Sequence, residues 1–178
     1  MKIDKLFNSI AMLFLLTAAS FGQQVKTDYD RSANFAQYKT YSWQDVKTKD
    51  PLWVDRIKSD VDAALTAKGW KQVPSGGNIS LVAMEVTTNQ QTLNTYYDNS
   101  GGFGRRFRGG GFGTSTTTVD NYKVGTLVLD MVDSQTQKMV WRGSASDALS
   151  NKSDKNIKNL DKGVQKMLKN FPPGEPKK

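Results

Sequence analysis

The chain has 178 residues, with 25 Lys and Arg against 17 Asp and Glu, a formal charge of +8, and neither cysteine nor histidine. That inventory excludes disulfides, Cys nucleophiles and His general bases. It argues against zinc, copper, haem and iron–sulfur centres, whose ligand sets normally draw on those two residue types.

Among common catalytic designs, paired carboxylates, Ser–Lys pairs and oxygen-ligated calcium or magnesium remain. The basic excess suits anionic neighbours, although the lysines are scattered and two sit in the tail Pro172–Lys178. The length fits one domain with a real core after a leader.

Lys2 and Lys5 precede an apolar run, Leu6 to Ala19, broken only by Asn8, Ser9 and Thr17. Ser20-Phe21-Gly22 then offers small residues at both determining positions of a cut before Gln23. Residues 1–22 therefore read as a cleavable export signal, cut near Gly22. The run is shorter than the roughly 20 apolar residues of a membrane span, and no later segment approaches it. No transmembrane helix is expected in the mature chain. With no cysteine beside the cut there is no lipid-attachment residue, so a soluble, released product is expected.

Gln23 to Asn34 is polar and reads as extended. Phe35 to Gln44, with Tyr38, Thr40, Tyr41 and Trp43, reads as a first strand. Asp50-Pro51 is a helix start, and Val54, Ile57, Val61 and Leu65 form one stripe, closed by Gly69. After the turn at Pro74-Ser75-Gly76-Gly77, Ile79 to Val86 is apolar on both faces and reads as a central strand, running on in more polar form through Tyr97.

Thr114–Val119 and Val124–Val132 read as one long strand, and Lys138–Ala148 as the next, across a Ser134–Gln137 turn. Ser153 is the expected cap of a second helix, whose stripe is Ile157, Leu160, Val164, Met167, Leu168 and Phe171. Gly163 within it suggests close helix–sheet contact. The order is β-α-β-β-β-α. Short turns favour an antiparallel sheet, so the expected fold class is α+β: a two-layer sandwich of about four antiparallel strands with two helices on one face. Residues 23–173 form its single domain and residues 174–178 a disordered tail.

Residues 98–113, DNSGGFGRRFRGGGFG, hold seven glycines with Phe103, Arg105, Arg106, Phe107, Arg108 and Phe112. They fall between the two strongest strands, at the tip of a long hairpin. So glycine-rich a segment is expected to be flexible without a partner. Arginines bring charge-assisted bonds to phosphate or carboxylate and phenylalanines bring apolar insertion. Those six residues are the candidate binding surface, set against a plain reading as a tolerant connector. Export argues against nucleic acid and favours a lipid head group, an acidic glycan or an envelope protein. The segment has neither the spacing nor the following helix of a dinucleotide loop, and it lacks the Gly-Lys-Ser/Thr ending of a P-loop.

Asp130 and Asp133, three apart in a strand, point to opposite faces and make a poor catalytic pair, with Asp133 fitting a turn start. Asp28 and Asp30 share a face but have too few further ligands for calcium. Trp43, Trp53, Trp70 and Trp141 read as core or rim packing rather than a sugar site. No catalytic residues, metal or cofactor are assigned.

Several positions together resemble a known family. They are Asp28-Tyr29-Asp30, Phe35, Tyr38, Thr40-Tyr41, Trp43, Ile57, Leu65 and Lys68-Gly69. The pattern continues with Gly125-Thr126-Leu127, Leu129-Asp130, Asp133, Val140-Trp141-Arg142-Gly143, Met167-Leu168 and Phe171-Pro172-Pro173. In order and spacing the chain resembles the bacterial envelope family called domain of unknown function 4136. The resemblance implies a bacterial protein in the periplasm or secreted, in a family of frequent lipoproteins with no established activity. It supplies no catalytic residue, and the lipid-bearing cysteine of many members is missing here.

The expected function is that of a non-enzymatic envelope protein binding a partner through the tip. The alternatives are a carboxylate-dependent hydrolase of envelope glycans, needing two acidic side chains about 5 to 10 Å apart in a cleft, and a small-ligand carrier using the sheet face. An apolar cavity lined by tryptophan would favour the carrier.

Overall fold

The structure, a computed structural model, describes residues 23–98 and 114–173. The expected signal, residues 99–113 of the tip, and the tail lie outside the described residues. The elements are β1 (Gln24–Tyr29), β2 (Thr40–Lys47), α1 (Leu52–Thr66), β3 (Lys71–Gln72), β4 (Ile79–Asp98), β5 (Thr114–Asp133), β6 (Met139–Ala148) and α2 (Ser153–Leu168), with a short 3-10 turn at Phe35–Gln37.

Local chemistry explains the helix ends. Asp50 Oδ1 accepts the Leu52 N–H at 3.0 Å, and Pro51 already has helical dihedrals, so α1 starts where the Asp-Pro pair places it. Its stripe of Ile57, Val61 and Leu65 is fully buried. The chain then reverses through Gly69 at φ +79°, a conformation that glycine adopts without a Cβ penalty. In α2, Ser153 is the first helical residue rather than the cap, and Lys152 stands in the capping position without a side-chain bond. The entry is fixed instead by Asn156, which accepts from Ser150 N–H and donates to Ser150 O, both at 2.8 Å.

All strands join one six-stranded sheet in the order β1-β6-β5-β4-β2-β3. Pairs β4–β5, β5–β6 and β1–β6 are antiparallel, while β2 runs parallel to both β3 and β4. The sheet is mixed and curls into a half-barrel. This corrects the expectation of a two-layer sandwich with about four antiparallel strands. The connection leaving β2 passes through α1, and a helical crossover returns the chain parallel, whereas β5 and β6 are joined by a short turn. The strand count was low because β1 is a polar edge strand, exposed at every residue except the half-buried Val25, and β3 has only two residues.

Both helices lie on the same face of the sheet. Alternate residues Ile79, Leu81 and Ala83 of β4 and Leu127, Leu129 and Met131 of β5 join α1 and α2 in one core. Phe171 closes one end of that core, with ring centroids 5.0 Å from Trp70, 5.4 Å from Trp141 and 5.9 Å from Phe35. The opposite face of β4 is not covered: Met84 and Val86 are 42% and 39% exposed. β4 is thus interior within the sheet but buried on one side only.

β4 and β5 are each 20 residues long and stay paired throughout. β2 accompanies β4 only as far as Met84, and β6 meets β5 only from Val124 onward. Past those points, residues 88–98 and 114–123 form a two-stranded ribbon on the order of 35 Å long.

Candidate functional site

The two helices converge at their C-terminal ends. Ile57, Val61 and Leu65 share the core with Val164, Met167 and Leu168, and Lys68 Nζ donates to Lys169 O at 3.3 Å. Their N-terminal halves diverge over β4, β5 and β6 and leave a cavity of about 250 Å³.

Its apolar walls are Trp53 and Ile57 of α1, Leu160 of α2, Leu127 of β5, and Leu149. Its floor is made of small residues, Gly125, Ala145 and Gly163. A Cβ on Gly125 would lie 2.8 Å from Leu149 Cδ2, and one on Gly163 would lie 2.7 Å from Gln23 Nε2 and 3.1 Å from Ala145 Cβ. The glycine in α2 is therefore the close helix–sheet contact that its position suggested.

The polar groups are few and largely oriented. Glu85 accepts the Thr87 hydroxyl at 2.7 Å and the Thr48 hydroxyl at 3.2 Å, one on each carboxylate oxygen. Gln23 Nε2 donates to Asn159 O at 2.7 Å, and Asp147 Oδ1 accepts the Ala148 N–H at 2.8 Å. Among the described residues, three carboxylates (Asp50, Glu85 and Asp147) face the space with a single cation, Lys49. This acidic balance is the reverse of the whole chain's charge.

The residues singled out from sequence fall elsewhere. Phe103, Arg105, Arg106, Phe107, Arg108 and Phe112 lie outside the described residues. Asp130 and Asp133 do point to opposite faces. Asp130 holds Arg142 through Nε at 2.6 Å and Nη2 at 2.7 Å, while Asp133 faces inward and accepts the Tyr38 hydroxyl at 2.7 Å. Asp28 accepts the Tyr29 N–H at the end of β1, and Asp30 accepts the N–H and hydroxyl of Ser32 in the turn that follows. No group of metal-ligating side chains occurs among the described residues.

Of the tryptophans, Trp70 and Trp141 are buried, Trp43 donates its indole N–H to Asp62 at 2.9 Å, and Trp53 alone lines the cavity. Sequence reasoning missed Glu85 and Asp147. The available signal was an acidic residue on the inward side of an otherwise apolar strand: Glu85 follows Leu81 and Ala83, and Asp147 follows Gly143 and Ala145.

No helix among the described residues is long and apolar enough to cross a membrane. No curated protein matches the chain. Among solved structures, a PDZ domain protein from Parabacteroides distasonis is similar at TM-score 0.54 and 14% identity, over 97% of this chain and 41% of that one. The chain thus spans about two-fifths of that protein's length, and the likeness concerns fold alone.

A PelC dodecamer from Paraburkholderia phytofirmans aligns at TM-score 0.48 and 13% identity, over 83% of this chain and 95% of that one. A minor lipoprotein from Acinetobacter baumannii aligns at 0.36 and 14%, over 75% and 92%. The family model for Domain of unknown function (DUF4136) matches residues 25–173, essentially the whole described domain, and the chain belongs to that family.

Proposed function

We propose that this chain is an exported, non-enzymatic protein of the bacterial envelope that binds a small amphipathic ligand in the cavity between α1, α2 and the sheet. The observation that carries this reading is the cavity itself, about 250 Å³ beside Trp53, left open by small residues on β5, β6 and α2. A pocket with apolar walls and a few oriented polar groups is the usual form of a small-molecule site, and its volume, just under the common range, suits a compact ligand. The excess of carboxylates favours a head group that donates hydrogen bonds. Export is supported by the leader pattern of residues 1–22.

The test is fluorescence titration with N-phenylnaphthylamine, an apolar probe carrying one N–H donor. The wild-type chain is expected to saturate at one site. Leu160→Trp and Ala145→Leu, which fill the cavity from opposite sides, are expected to weaken binding at least tenfold while unfolding as cooperatively as wild type. No saturable binding, or equal binding by both filled variants, would remove the proposal.

Glu85 and Asp147 favour one second reading. They line the same cavity from strands separated by β5, so their backbones lie roughly 10 Å apart across the sheet. That arrangement suits a carboxylate-dependent glycan hydrolase, which Glu85→Gln would inactivate. The contact role expected of the tip is a separate proposal. It requires that neutralising Arg105, Arg106 and Arg108 together weaken binding to an anionic or protein partner.

A further inference from the structure

Past Met84, β4 has a strand partner on one side only among the described residues. β5 holds one edge through Asp98, while the other edge has lost β2. A two-stranded ribbon is marginal in water by itself, and a third strand is what normally makes such a unit stable. Proteins guard long free edges with lysine, proline, bulges or covering elements, because a row of unpaired N–H and C=O groups invites another strand.

Among the described residues this edge has none of those guards. The run from Thr87 to Asp98, TTNQQTLNTYYD, contains no Lys, Arg or Pro, in a chain with 25 basic residues. Its pairing with β5 continues without a bulge. Leu93 and Val119 sit directly opposite each other on the ribbon, 68% and 51% exposed.

We propose that the free edge of β4, from Thr88 to Asp98, pairs antiparallel with the same edge of a second copy of this chain, making one continuous four-stranded ribbon about a two-fold axis near Thr92. Self-complementarity identifies the occupant. Gln90, Thr92 and Asn94 share one face by alternation. Within the ribbon Gln90 Oε1 accepts the Tyr122 hydroxyl at 3.1 Å and Asn94 Nδ2 donates to Asp120 at 2.8 Å, so across the axis the Gln90 N–H groups face the Asn94 amide oxygen of the second copy and Thr92 faces Thr92. No charge lies between Thr88 and Tyr97 to select a different partner or repel an identical one.

The geometry suits the overall charge as well. With the axis at the middle of the edge, each body lies beyond the end of the other's ribbon. Two mature chains, each +7 once Lys2, Lys5 and Asp4 leave with the leader, then meet through an uncharged stretch of β4 while their bodies stay tens of ångströms apart, well past the ~8 Å screening length. Two such edges exchange about ten backbone hydrogen bonds, as many as a typical specific interface makes.

The test uses the full mature chain in sedimentation velocity over a concentration series. Wild type is expected to be a reversible dimer. Gln90→Lys, Thr92→Lys and Asn94→Lys combined put like charges face to face, on a ribbon exposed to solvent, and are expected to weaken dimerisation at least tenfold. The matching triple Glu variant does the same, and mixing the two restores a heterodimer. A wild type that stays monomeric throughout overturns the proposal, as does a dimer indifferent to both triple variants. So does capture of an unrelated extended peptide by a monomer.

Discussion

Two inward-facing carboxylates are held in opposite ways. Asp133 is 8% exposed, yet its oxygens take N–H bonds from Gln135 and Thr136 at 2.8 Å and the Tyr38 hydroxyl at 2.7 Å. The Thr136 N–H first, then the Tyr38 hydroxyl, hold its carboxyl below the usual range. Its stabilising contribution is therefore complete above the ordinary carboxyl value of 3.8 and is lost as pH falls through the lowered one. Asp133→Ala leaves those donors without a buried acceptor and should cost about 2–4 kcal/mol in urea unfolding.

Asp60 of α1 has Oδ2 buried and without a hydrogen-bond partner among the described residues. Burial, then the nearby Asp161, push its carboxyl up. Folding thus favours the protonated form, and the stability this gives is full below pH 3.8 and is lost as pH rises through the raised value. Asp60→Asn should stabilise the protein by about 1 kcal/mol at neutral pH and lose that gain in acid. Urea unfolding at both pH values checks the sign.

At the scale of elements, small residues decide how closely the helices approach. Gly143 is buried in β6 where a Cβ would run into Met167 of α2 and the ring of Trp141. Gly143→Ala should cost about 1–3 kcal/mol by overpacking, read as a lower midpoint of thermal unfolding. Ala145→Leu, two residues along and beside the cavity, should gain about 0.5–2 kcal/mol by filling space while binding the probe more weakly. Opposite signs on neighbouring inward positions separate the tightly packed part of the face from the open part.

These elements also show what could be read from sequence. The stripes Ile57, Val61, Leu65 and Val164, Met167, Leu168, the Asp50-Pro51 start and the apolar runs of β4 and β5 are local patterns, and they place both helices and the long hairpin. β1 escaped because an exposed edge strand needs no apolar alternation. The parallel pairing of β2 with β4 depends on where a crossover returns the chain. The cavity escaped because it is made by missing side chains, at positions 125, 145 and 163, which meet only in the folded chain.

At the scale of the molecule, the fold has a closed end and an open one. The aromatic cluster around Phe171 seals one end of the helix–sheet core, while the diverging N-terminal halves of α1 and α2 leave the other available to a ligand. The ribbon then extends past the open end, away from the core. The two features can be separated: the triple Lys variant should alter assembly and, compared at concentrations where both chains are monomeric, leave probe affinity within about twofold of wild type, since the substituted positions lie outside the cavity lining.

The most direct measurement is an amide and indole NMR titration of the mature chain with N-phenylnaphthylamine. Binding in the cavity predicts saturable shifts confined to the Trp53 indole and the amides of Gly125, Ala145, Leu160 and Gly163, with Trp70 and Trp141 unmoved. Shifts spread along the outer sheet face around Met84 and Val86, or none at these residues, would contradict it.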